Sequence, residues 1–269
     1  MNGLDGKVVL VTGSTGIAAA GARRLAAAGA AVFIASRTEE HAESLASAIV
    51  AEGGRATALP ADLTDEAAVE TVATECVARY GRIDGLLSVA GGSGRRFGDG
   101  PVHAVTREAW ESTLRLNLTS QALVAGAVVR RMLTQEPGPT GRGTIVLVSS
   151  VLATHPVPVL FETHAYAAAK GAIVALARSM AAAYAGSGIR VNALAPGLTD
   201  TPMASRASAD PATVAFAGEK QPLVGGLLTA DDVAGAALYL LSDEARAVTG
   251  QVLAVDGGWS VTSVSPGAG

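Results

Sequence analysis

Seven short apolar runs rich in β-branched residues punctuate the chain, separated by longer stretches whose apolar positions recur at helical spacing. The first run, residues 7–12, leads directly into Gly13-Ser14-Thr15-Gly16-Ile17-Ala18 and then into a helical pattern over 19–28. Further strand-like runs follow at 30–35, 55–59, 83–89, 144–149, 190–194 and 252–255. Helical patterns lie between them, from Glu39, then at 65–80, 108–133, 165–185 and 230–241. Thr64 or Asp65 caps the second of these and Thr229 the last, while Gly186 and Gly188 stop the 165–185 run. Residues 202–228 hold three prolines and little periodicity, so the expectation is a substrate flap over 198–228 with no element of its own, and a frayed tail from 260. Strands alternating with helices from end to end predict one α/β domain over 1–269. Its core is a doubly wound, Rossmann-type parallel sheet of about seven strands with helices on both faces.

Composition narrows the setting. Hydrophobic residues make up 49% and charged residues 16%, enough for a substantial core and too apolar for disorder. Net charge is −4, and no basic cluster exceeds doublets such as Arg95-Arg96 and Arg130-Arg131, which argues against a nucleic-acid surface. One cysteine, Cys76, excludes an internal disulfide and fits a reducing compartment. No uncharged run of eighteen apolar residues occurs and the first six residues are too polar for a signal peptide, so a cytoplasmic protein without a membrane partner is expected. Four scattered histidines offer no metal cluster.

Ligands of such sheets bind at the carboxyl ends of the strands, where Gly13, Arg37, Asp62, Ala90, Ser150 and Pro196 all fall. A glycine turn between a strand and a helix can present backbone amides to a pyrophosphate, because no Cβ obstructs the approach. At the end of the second strand Ser36-Arg37-Thr38 replaces the acid that would select NAD; a guanidinium flanked by hydroxyls suits the extra phosphate of NADP, with NAD still possible. Asp62, beside Leu63, is placed to meet the adenine amino group. Tyr166 and Lys170 stand four apart on a helix and share a face, so the cation is expected to lower the phenol pKa and make Tyr166 an acid/base. Asn117 lies inside a helical run where asparagine is unfavourable unless its amide has a task, whether chemical or simply bonding a neighbouring carbonyl.

From Lys7 to Trp259 the ordered set of the Gly13 loop, Asp62, Ala90-Gly91, Asn117, Ser150, Tyr166 with Lys170, Pro196-Gly197 and Val255-Asp256-Gly257-Gly258 resembles the short-chain dehydrogenase/reductase family. The resemblance implies that Tyr166 is the acid/base, that Ser150 holds the substrate oxygen, and that Lys170 binds the nicotinamide ribose. It implies too that Asn117 continues a proton relay and that Leu198, Thr199 and Thr201 hold the nicotinamide carboxamide. Three departures stand out. The glycine loop is one residue short and ends in Ala18; Ser88-Val89-Ala90-Gly91 replaces the common Asn-Asn-Ala-Gly; and Ser150 lies sixteen residues before Tyr166 where twelve or thirteen is usual. The longer loop and the 202–228 segment supply mostly apolar candidate walls, with Leu152, Val159, Phe161, His164 and Met203 among the residues facing a small carbonyl or alcohol substrate, best an apolar or alicyclic ketone. An epimerase or dehydratase, from the Gly13-x-x-Gly16 spacing, and a non-catalytic dinucleotide sensor are the competing readings. Similar proteins commonly form homotetramers; here the outer face of 172–185 with Leu123, Val124 and Val128 would supply the apolar contact.

Overall fold

The computed structural model describes residues 3–158 and 160–263; Val159 and the end of the expected tail lie outside the described residues. Seven parallel strands form one sheet in the order β3-β2-β1-β4-β5-β6-β7. They are β1 (Val8–Thr12), β2 (Ala31–Ser36), β3 (Arg55–Pro60), β4 (Gly85–Ser88), β5 (Gly143–Val148), β6 (Ile189–Pro196) and β7 (Val252–Val255). All five residues of β1 are buried, as a central strand covered on both faces requires. One face packs against α3 (Glu66–Tyr80), α5 (Ser120–Thr134) and α6 (His164–Tyr184), through Val72, Val128, Met132, Ile173 and Ala177. The other is covered by α1 (Gly16–Ala27), α2 (Glu39–Ala51) and α9 (Ala230–Leu241), through Leu25, Ile49, Val233 and Leu238. The chain winds outward from β1 in one direction and, from β4, in the other, which opens a crevice at the carboxyl ends of β1 and β4.

Three expectations change. The 108–133 run is not one regular helix: α4 (Arg107–Leu114) passes through a π-helical turn, Arg115–Thr119, before α5. Such a turn takes in an extra residue and recurs at functional sites, and Asn117 sits in it. Val124 and Val128 are 1% and 0% exposed and belong to the chain's own core, so they are not an outward contact surface. Residues 202–228 contain a 3-10 turn and two short helices, α7 (Ser205–Ser208) and α8 (Pro211–Lys220). Pro211 takes the first helical position of α8, and Asp210 accepts from the Ala212 and Thr213 amides. The base of this segment is tied by a parallel bridge between Thr199 and Leu228. Beside it, fully buried Gln221 bonds the Leu198 amide, the Leu198 carbonyl and the Gly226 carbonyl.

Candidate active site

At the carboxyl ends of the strands lies a cleft of about 730 Å³. Its rear wall is the first turn of α1, where Thr15, Gly16 and Ile17 face the opening and no acidic residue stands in the turn. The shortened loop therefore still aims a helix N-terminus at the cleft. Gly16 has φ +53°, and a Cβ there would come within 2.9 Å of the Thr201 methyl, so loop and flap approach more closely than any other residue permits. Ser14 and Ser36 join hydroxyls at 2.9 Å, linking the loop to the end of β2. Next to them Arg37 is exposed and reaches the cleft, and among the described residues it forms no ion pair. Asp62 is held below the usual carboxylate range, first by the Thr64 amide and hydroxyl and then by the charges of Arg37 and Arg115.

The centre of the cleft holds Ser150, Tyr166 and Lys170. Ser150 lies two residues past the end of β5; its hydroxyl accepts from the Leu152 amide at 3.2 Å and favours the ionised form of the neighbouring Tyr166 phenol. The Lys170 ammonium lies 5.6 Å from the Tyr166 ring centroid and donates to the Val148 carbonyl at 2.8 Å. The phenol pKa is not lowered as expected. Burial pushes Tyr166 up to about 12, against the opposing pull of the Ser150 hydroxyl, and burial pushes Lys170 down to about 7. A lysine taken out of water loses much of the charge that was to acidify its neighbour.

The structure brings Gly91, Leu152, Phe161, Pro196, Gly197, Leu198, Thr199, Thr201 and Met203 to the same cleft. Gly13, Ser14, Ser36, Thr38, Asp62, Leu63 and Ala90 do not line it: Thr38 and Asp62 are exposed at the surface, and Leu63 packs into the core. His164 turns elsewhere: it is exposed, and its Nδ1 accepts from the Val102 amide at 2.9 Å. The Asn117 side chain is fully buried. Its amide nitrogen donates to the Gly92 and Thr113 carbonyls, and its oxygen accepts from the Gly92 amide. That amide is committed to holding the 91–92 segment, and a Cβ on Gly91 would sit 2.7 Å from its oxygen. The Thr12 hydroxyl accepts from the Val89 and Ala90 amides, tying the Ser88-Val89-Ala90-Gly91 segment to the end of β1.

Sequence reasoning missed three contributors. Asp99 is buried and accepts from the Ala165 and Tyr166 amides, both at 2.9 Å, capping α6 from 67 residues upstream of Tyr166. Trp259, 1% exposed, closes the cleft floor between Phe161 and Phe216. Arg95 and Arg96 line the mouth; their doublet was visible but read only against nucleic-acid binding.

Residues 11–260 match the family model described as enoyl-(acyl carrier protein) reductase. The chain belongs to the short-chain dehydrogenase/reductase family. It is similar to the cis-4-hydroxycyclohexanecarboxylate dehydrogenase of Sinomonas cyclohexanicum, 38% identical over 255 residues, covering 94% of this chain and 96% of that one. It is also similar to LinX of Sphingobium indicum, a 2,5-dichloro-2,5-cyclohexadiene-1,4-diol dehydrogenase, 32% identical over 97% of this chain and 98% of the other. A Beutenbergia cavernae structure assigned as an NAD(P) dependent gluconate 5-dehydrogenase, with bound NADP at low occupancy, superposes with a TM-score of 0.86. It is 36% identical, with 97% of this chain and 99% of the other covered. Among members of this family, those named here are dehydrogenases, and neither the epimerase nor the sensor reading is favoured. The short-chain dehydrogenase/reductase architecture also accounts for the cleft's position at the β1/β4 crossover.

Proposed function

We propose that this oxidoreductase interconverts a secondary alcohol and a ketone on a small ring, with NADP preferred over NAD. One observation carries the reading: the Ser150 hydroxyl and the Tyr166 phenol face the same cleft, with buried Lys170 one turn on, where α1 enters by its N-terminus. The two relatives named above act on hydroxyl groups of six-membered rings, and Leu116, Leu152, Phe161, Met203 and Trp259 give this cleft an apolar lining of similar character.

The residues present fit a dinucleotide. The turn Gly13, Ser14, Thr15, Gly16, Ile17 would hold the pyrophosphate, with Gly16 leaving space that a Cβ would fill. Ser36, Arg37 and Thr38 would hold the 2′-phosphate, Asp62 and Leu63 the adenine, and Ala90 and Gly91 the ribose side. Pro196, Gly197, Leu198, Thr199 and Thr201 would seat the nicotinamide, and Lys170 its ribose hydroxyls. When bound, the nicotinamide supplies or accepts the hydride. Tyr166 gives the proton to the forming alkoxide oxygen, or takes it in the reverse direction, while Ser150 holds that oxygen in place. Asn117 acts through the backbone it fixes at Gly92. The assembly is read as a cytoplasmic homotetramer, for which the exposed Ala175, Ala182 and Ala183 of α6 offer a small-residue contact face.

Turnover of cyclic ketones with NADPH and with NADH tests the reading. Tyr166→Phe is expected to lower turnover by a factor on the order of 10² or more with the NADPH dissociation constant nearly unchanged. Ser36→Asp/Arg37→Ala is expected to move the NADPH/NADH efficiency ratio at least about tenfold toward NADH, since charge-assisted contacts to a phosphate contribute ~1.5–3 kcal/mol each. Full turnover in Tyr166→Phe refutes the chemistry; an unmoved ratio refutes the phosphate site.

A further inference from the structure

We propose that Arg95 and Arg206 form an anion subsite at the mouth of the cleft, and that the ring alcohol or ketone processed beside Tyr166 carries a carboxylate. The proposal rests on the reading above and names its substrate class.

The charged side chains lining the cleft are Arg37, Arg95, Arg96, Lys170 and Arg206; no aspartate or glutamate lines it among the described residues. Arg37 belongs to the end of β2, and Lys170 is buried beside Tyr166. The other three come from two separate segments, the 3-10 turn Gly94–Phe97 after β4 and helix α7. Arg96 stacks on the Phe97 ring at 4.5 Å. Arg95 leans on the loop that follows Ser150, donating to the Leu160 carbonyl at 2.9 Å. Although its tip reaches solvent, burial and then the charge of Arg206 hold its pKa below the ordinary arginine value, while Asp99 and Glu162 pull the other way.

Those acids do not neutralise the pair. Both Asp99 oxygens are taken by amides of α6, and neither Asp99 nor Glu162 lines the cleft. Asp210, which feels Arg206, is engaged by Ala212 and Thr213. Arg95 and Arg206 form no ion pair among the described residues. Two like charges gathered on one rim lose energy to each other and regain it when an anion sits between them. The guanidinium fork matches a carboxylate's two oxygens. Leu152, Phe161, Met203 and Trp259 line the same cleft, so an apolar group bearing the anion fits it.

A matched pair of ketones tests this with the full chain and NADPH: 4-oxocyclohexanecarboxylate and its methyl ester, identical at the carbonyl and different in charge. The expected result is an efficiency at least about tenfold higher for the acid, the gain of one charge-assisted contact, residing in KM and shrinking as salt is added. In Arg95→Gln and Arg206→Gln the acid-to-ester ratio is expected to fall toward one. An ester used as well as the acid by the native protein, or a ratio unmoved in both variants, overturns the proposal. So does a KM for NADPH that rises as much as the KM for the acid, because the arginines would then serve the cofactor's phosphates. If neither ketone is reduced, the ring-ketone reading fails, and calorimetric titration with cyclohexanecarboxylate decides the subsite separately. Binding that weakens in both variants upholds it, and no binding to the native chain overturns it.

Discussion

Lys170 is 3% exposed beneath Tyr166, and its position makes stability depend on pH. Its pKa is about 7 in the folded chain and roughly 10.4 when unfolded, so between those values the unfolded state binds the extra proton. Folding stability therefore rises with pH across that window, and the full burial penalty is present below about 7. Tyr166, raised to about 12, acts with the opposite sign, but only above about 10, where the unfolded phenol ionises. Urea unfolding of the native protein and Lys170→Met at pH 6, 7.5 and 9 is expected to show their difference moving in favour of the native chain as pH rises. The slope should approach about 1.4 kcal/mol per unit. A pH-independent difference would mean that Lys170 stays charged in the fold. The Tyr166–Lys170 pair was legible because i,i+4 geometry is local; its protonation was not, because burial belongs to the assembled molecule.

Helix α6 shows the same division between local and distant causes. Its length follows from an alanine-rich run, yet its N-cap residue Thr163 makes no side-chain cap, and the task falls to Asp99 on a loop beyond β4. No spacing rule reaches across such a separation. Asp99→Ala is expected to cost ~1–2 kcal/mol of stability, as lost caps do, and to lower kcat more than it raises the KM for NADPH, because Tyr166 is itself one of the capped residues. Asp99→Asn, which keeps an acceptor, should recover most of the stability. Thermal melts and steady-state rates of the two variants check this, and an unchanged kcat in Asp99→Ala would separate the cap from the chemistry. The seven strands were readable from apolar runs bounded by turns. The π-turn at 115–119 was not, since its sequence is as helical as its flanks. Nor were α7 and α8, whose short amphipathic stretches acquire their meaning only against Trp259 and the bridge at Leu228.

For the whole molecule, the sheet order put every strand-end residue on one side, which is why the cleft could be anticipated although its arginine mouth could not. The proposed tetramer is checked by light scattering: a mass near four times the 26.8 kDa chain is expected at micromolar concentration, and a mass near one chain would exclude it. Substituting Ala182→Glu on α6 should then shift the mass downward, whereas Val124 or Val128, buried in the core, would act on folding instead. Trp259 has a consequence of another kind. It is one of two indoles in the chain; the other, Trp110, lies half-buried on α4, away from the cleft. A sealed indole emits at short wavelength, and a reduced nicotinamide absorbs in that region. The protein thus has a fluorescent reporter in the wall of its own cleft, able to follow filling and emptying without any added label.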